Sequence, residues 1–124
     1  MRRNAGGQAT VEFVLCLPFI ALLIALLVEV ALLGIDRARV WQAAREAARS
    51  AVVDADPAAA TAAAEKVGPA PLEVAIDPPA HLRRQGASLT VSVVHIRDGE
   101  LPLVGRLWHG VELRATATMR IEVP

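Results

Sequence analysis

The sequence predicts an α+β protein: a long N-terminal helix, transmembrane and then amphipathic, packed on a small antiparallel β-sheet. Three observations predict it. An apolar run lies near the start of the chain, a following segment repeats apolar residues at helical spacing, and the C-terminal part alternates apolar and polar residues with period two. The 124 residues suffice for one small domain plus one appendage. The chain is 54% hydrophobic but only 3% aromatic, so its apolar content needs a source other than an ordinary core.

The apolar run is that source. From Val11 to Leu33 every residue is apolar except Glu12, Pro18 and Glu29, and Phe13–Val28 carries no charge. At about 1.5 Å per residue, a helix over this run covers roughly 34 Å, enough for a hydrocarbon core of about 30 Å. The rest of the chain is too small to wrap a helix that is apolar on every side. Residues 8–35 therefore read as a membrane-embedded helix. A secretory signal would need a shorter apolar stretch and a small-residue cleavage site, whereas the exit reads Leu33-Gly34-Ile35-Asp36-Arg37. Cys16 follows Leu15 rather than a small residue, which argues against lipidation. As the single cysteine it cannot form an internal disulfide, and it reads as an ordinary apolar residue. Arg2 and Arg3 precede the span. Arg37, Arg39, Arg45 and Arg49 follow it, partly offset by Asp36 and Glu46. Counted alone, these charges slightly favour a cytoplasmic C-terminal side.

Glu12 is the informative residue of the run. A carboxylate one residue into an apolar span is expensive, and such groups usually have a partner or a function. Snorkelling to the interface is the plainer reading. Its context is a short basic leader, Met1-Arg2-Arg3-Asn4-Ala5-Gly6-Gly7, followed by Gln8-Ala9-Thr10-Val11-Glu12-Phe13. This pattern resembles the class III signal of type IV pilin-like proteins. The resemblance implies that residues 1–7 are a prepilin-type leader. A prepilin peptidase would cut between Gly7 and Gln8 on the cytoplasmic side, and the apolar helix would stay on the mature chain. Cutting there makes Glu12 the fifth mature residue, as the family requires; cutting after Gly6 would place Val11 fifth.

The chemistry suits that role. Cleavage creates a new amine at Gln8, cationic at neutral pH. Apolar helices stacked side by side have few means of fixing axial register. An acid in the apolar zone can pair with the amine of a neighbour, and a buried carboxylate left unpaired penalises misregistered packing. Glu12 would then set register, with Phe13 beside it in the assembly segment.

The resemblance narrows further. Gln8-Ala9-Thr10-Val11-Glu12-Phe13-Val14, Leu17-Pro18, Val28-Glu29-Val30 and Ala43-Ala44-Arg45-Glu46-Ala47-Ala48-Arg49 are similar to the start of TadE-like proteins, the minor pilins or pseudopilins of tight-adherence (Flp-type) pilus systems. The similarity covers roughly residues 5–53. Many type IV pilins have Phe as first mature residue where this chain has Gln8. Major Flp pilins are much shorter, often with Tyr after the glutamate, so Phe13 and the long C-terminal region favour the minor-pilin branch.

Beyond the span, Asp36–Val53 reads as a helix, with Val40, Trp41, Ala44, Ala48, Ala51 and Val52 at helical spacing and Arg45, Glu46 and Arg49 on other faces. Nothing at Gly34 forces a break, so the helix can run on from the membrane. Asp56-Pro57 signals a helix start, with Asp56 as N-cap, Ala58–Val67 as helix body and Gly68-Pro69 as stop. Strands are expected at Leu72–Ile76 and Leu89–Ile96. In the final run Val111, Leu113, Ala115, Ala117, Met119, Ile121 and Val123 alternate with Glu112, Arg114, Thr116, Thr118, Arg120 and Glu122. Three or four strands on the amphipathic helix make residues 36–124 an α+β domain, which the pilin-like resemblance places outside the cytoplasm. The loop Leu101–Gly110, with Leu101, Pro102, Leu103, Val104, Leu107 and Trp108, reads either as a flap over the core or as a sticky surface.

No catalytic or metal-ligating set is expected, and no cofactor. His81, His95 and His109 match no metal-ligand spacing and read as surface or edge residues. There is no phosphate-binding glycine loop and no nucleophile elbow. Thirteen basic against thirteen acidic residues argue against nucleic-acid binding through a basic surface. The expected partners are the membrane, a prepilin peptidase, other pilin subunits and the pilus assembly machinery. The expected location is the cytoplasmic membrane, single-pass, with the C-terminal domain outside. The alternative is an uncleaved, single-pass anchored binding module of the cell envelope.

Overall fold

A computed structural model describes residues 5–122. Arg2 and Arg3 of the leader, and Val123 of the final run, lie outside the described residues. One helix, α1, runs from Ala5 to Val53 through Pro18 and Gly34 without interruption. Pro57–Val67 forms α2, entered as its sequence predicts: the Asp56 carboxylate accepts a hydrogen bond from the Ala58 amide at 3.0 Å, and Pro57 takes the first turn. Three strands follow: β1 (Glu73–Asp77), β2 (Ser88–Arg97) and β3 (Val111–Arg120). They form one antiparallel sheet in the order β1-β2-β3. A short 3₁₀ turn precedes β2, and a second, Gly105–Trp108, lies between β2 and β3.

The two halves of α1 have different fates. Every described position from Gly6 to Ile24 is exposed, and this half is long and apolar enough to cross a membrane. The other half packs on the sheet and on α2, burying Val40, Ala43, Ala44, Ala47, Ala48 and Ala51. Alanine at nearly every contact position lets the helix backbone lie close to the sheet, so little aromatic mass is needed to close the core. Ala60 and Ala64 of α2 are buried in the same cluster.

The sheet answers with its inward period. Leu89, Val91 and Val93 of β2 and Leu113 and Ala115 of β3 are buried, with Val93 opposite Ala115 and His95 opposite Leu113. The outward face carries a hydroxyl ladder, Thr90 to Thr118 at 3.1 Å and Ser92 to Thr116 at 3.4 Å.

Four details differ from expectation. Trp41 is 40% exposed because the buried stripe runs through Val40, Ala43 and Ala44 instead, and position 41 falls beyond its edge. His95 is buried, not a surface residue: it continues the inward period of β2, and its Nδ1 contacts the Pro71 carbonyl oxygen at 2.8 Å. β1 begins at Glu73 rather than Leu72. β3 ends at Arg120, although Ile121 still turns inward and is buried.

The alanine contacts give a direct test. Ala47→Leu forces extra methylene volume into the core that α1 closes with the sheet and α2, and should destabilise the full chain in detergent by about 1–3 kcal/mol, as in other overpacked cores. Denaturant unfolding followed by tryptophan fluorescence measures it; an unchanged midpoint would mean the helix is not tightly seated.

Candidate functional site

Two carboxylates stand out on α1, Glu12 and Glu29. The first lies at the N-terminus. Gly7, Gln8, Glu12 and Phe13 all sit on the opening turns of α1 and are all exposed. Gln8 and Glu12 are four residues apart and so share a helix face, where the Gln8 amide Nε2 donates to Glu12 Oε1 at 3.2 Å. Thr10 donates its hydroxyl back to the Gly6 carbonyl at 3.0 Å. Glycines 6 and 7 meet nothing beyond their own helix: a Cβ built on either would have no heavy atom within 4 Å other than the surrounding helix backbone. A glycine inside a helix costs about 1 kcal/mol relative to alanine, and no packing among the described residues requires either one.

The second carboxylate is Glu29. It sits in the apolar run yet is 0% exposed. Arg97 Nη1 donates to Glu29 Oε1 at 2.8 Å, and Arg97 Nε donates to Asp36 Oδ2 at 2.7 Å. Glu29 and Asp36 lie two helical turns apart on one face of α1, so a single guanidinium spans both. Two backbone amides complete the Glu29 site, Glu100 at 3.1 Å to Oε1 and Leu101 at 3.4 Å to Oε2. Burial works against the Arg97 charge, but hydrogen bonds to Glu29 and Asp36 outweigh it and hold its pKa above the ordinary arginine value. Arg97 Nη2 is buried with no hydrogen-bond partner among the described residues.

The loop that supplies the amides is itself pinched. A methyl group on Gly99 would collide with the Gly105 backbone, so only glycine permits this crossing. The Gly105 amide closes the loop on the Leu101 carbonyl at 2.8 Å. Among the described residues no cluster of three or more His, Cys, Asp or Glu is placed to hold a metal ion.

The family comparison addresses the same helix. The model of the TadE-like protein family matches residues 7–49. That TadE-like segment begins at Gly7, contains Gln8, Glu12, Phe13, Glu29 and Asp36, and ends inside the alanine stripe of α1. It leaves out α2 and the whole sheet. No curated protein and no solved structure matches the chain.

Sequence reasoning singled out the Gln8–Phe13 part of the TadE-like segment but gave Glu29, Asp36 and Arg97 no common role. A signal was present. Extending the β2 alternation Leu89, Val91, Val93 by two more steps makes His95 and Arg97 inward-facing. An inward arginine needs an acid, and Glu29 is the one acid between Phe13 and Ile35.

Removing one partner of a buried pair leaves the other uncompensated. Glu29→Leu should therefore lower stability by about 3–5 kcal/mol and loosen the loop whose amides it holds. Limited proteolysis of the detergent-solubilised chain at residues 98–105, alongside denaturant unfolding, checks both effects. Wild-type resistance in the variant would show that the cluster does not anchor the loop.

Proposed function

We propose that the protein is a minor pilin, or pseudopilin, that takes part in assembling a Tad/Flp-type pilus after a prepilin peptidase cuts between Gly7 and Gln8. The observation that carries this reading is the TadE-like match, which covers the exposed apolar helix and begins at the proposed cleavage position. The role is structural rather than catalytic: the chain works by packing its helix against lipid and then against other subunits.

Three features of the helix support it. Gly6 and Gly7 are helix-weakening residues with no packing duty, which suits a segment that must open into extended form in a peptidase. Val11, Phe13, Val14, Leu15, Leu17 and Phe19 are all exposed, a surface that demands lipid or neighbouring apolar helices. Glu12 stands on that surface with Gln8 as its partner among the described residues. Cleavage would put a cationic amine on Gln8. The Gln8 amine of one subunit would pair with Glu12 of the next and fix axial register. The helix would cross the cytoplasmic membrane once, with the sheet domain on the outer side.

The N-terminal mass of the membrane-extracted chain is the decisive measurement. In a host with the cognate prepilin peptidase the chain should begin at Gln8, and Gly7→Ala should retain Met1. A retained Met1 in the wild-type chain would instead favour an uncleaved anchored binding module. Glu12→Ala should abolish most pilus assembly while membrane insertion stays intact; normal assembly would remove the register role. Orientation has its own test, because the arginines after the span oppose it. Cysteines on the sheet domain should react with an impermeant thiol reagent in intact cells, and reaction only after lysis would reverse the assignment.

A further inference from the structure

The loop between β2 and β3 is tied to α1 at the level where one side of that helix first becomes covered. α1 is exposed at every described position through Ile24 and first becomes half-buried at Ala25 and Leu26, one turn before Glu29. Glu29 then accepts the Glu100 and Leu101 amides. Leu103 and Leu107 follow within a few residues of these anchors and of the Gly99–Gly105 crossing, yet they are 77% and 74% exposed. The fold does not need them so. Val104 and Gly105 are the buried members of the loop and Leu101 and Trp108 are half-buried, which is all a flap over the core requires. Leu103 holds a φ of 67°, a left-handed backbone uncommon for a residue with a side chain.

We propose that the tip formed by Leu103 and Leu107 is a foot that beds into the lipid surface beside the helix. The inference rests on α1 being the membrane anchor. If it is, a hydrocarbon core of about 30 Å takes roughly 20 residues; the stretch Gly6–Ile24, exposed throughout, is of that length, so the core ends between Ala25 and Glu29, where the domain first covers the helix, rather than at the Leu33–Ile35 end of the apolar run. The Glu29 carboxylate and its two amide donors therefore stand at the boundary, and the loop they fix is held there too. The loop that carries the foot is bonded to the anchor helix itself, through the Glu100 and Leu101 amides on Glu29. Exposed Arg106, between the two leucines, suits the phosphates of the headgroup layer. The pattern is that of an interfacial element, with leucines directed into the acyl boundary and a cation among the headgroups. The foot stands at the exit end of the span whichever way the helix is oriented. Two points of attachment, helix and foot, would hold the sheet domain at a set tilt to the membrane before any partner is met.

The test uses the full chain with Cys16→Ser, reconstituted at high lipid-to-protein ratio into vesicles of phosphatidylcholine and phosphatidylglycerol that contain a doxyl-labelled lipid quencher. Single cysteines at Leu103→Cys, Leu107→Cys, Leu22→Cys and Thr116→Cys carry an environment-sensitive fluorophore. Positions 103 and 107 should show blue-shifted emission and quenching comparable with position 22 and several-fold above position 116. If position 22 is quenched while 103 and 107 behave like 116, the foot is refuted and the anchor stands. If position 22 itself escapes quenching, the anchor reading fails and the foot with it. Protection of 103 and 107 from water without lipid quenching, lost as the chain is diluted in lipid, would assign the patch to a neighbouring subunit and overturn the proposal.

Discussion

The fold depends on one ionic contact, Arg97 set between Glu29 and Asp36. A small sheet next to a long apolar rod has no strong reason to stop at one height along it, because apolar packing is non-directional. The guanidinium supplies the direction. It reaches Glu29 at 2.8 Å and Asp36 at 2.7 Å, and the two acids are fixed two turns apart on the helix. Sliding the sheet by one turn would leave a buried arginine facing a leucine or an arginine of α1 and a glutamate with no donor. Such a mismatch costs more than several alanine contacts can offset. The β2–β3 loop inherits its position from the same contact, since its Glu100 and Leu101 amides bind the carboxylate that Arg97 binds.

Around that fixed point the packing can be economical. The stripe Val40, Ala43, Ala44, Ala47, Ala48 and Ala51 has little volume, so it contributes less burial per residue than a leucine-rich face. Its benefit is proximity: α1 lies close to Leu89, Val91 and Val93, and Ala60 and Ala64 bring α2 up to the same cluster. A chain with two Phe, two Trp and no Tyr closes a core in this way. The 54% hydrophobic content thus divides between a helix that faces outward and a domain that buries small side chains.

These two layers explain what the sequence discloses and what it withholds. Periodicity reports which face of an element is buried, so the α+β class, the α2 cap at Asp56 and the inward residues of β3 are all readable. Trp41 misleads because a large apolar residue next to a stripe looks like part of it, while the true stripe prefers alanine for closeness. The ion cluster is harder for a different reason. Arg97 Nη1 and Glu29 Oε1 are 68 residues apart in sequence, and no local pattern encodes a pairing over that distance. Arg97 is legible only by trusting the period of β2 past the point where its residues stop being apolar. The segment Gly7–Phe13 is the reverse case: the expectation placed on it rests on a motif, and its surroundings among the described residues add little beyond exposure and the Gln8 contact.

Glu12 and Glu29 make the argument complete. Both are carboxylates within the apolar run of one helix, and each is costly there unless satisfied. Glu29 is satisfied within the chain by a guanidinium and two amides, and it is fully buried. Glu12 has a neutral amide from Gln8 and stands open on an exposed surface. The fold therefore closes one acid and leaves the other presented. Glu12 thus stands exposed on the apolar half of α1, with only the Gln8 amide as its partner among the described residues. The difference between the two acids separates the half of α1 that builds the domain from the half that the described residues leave uncovered.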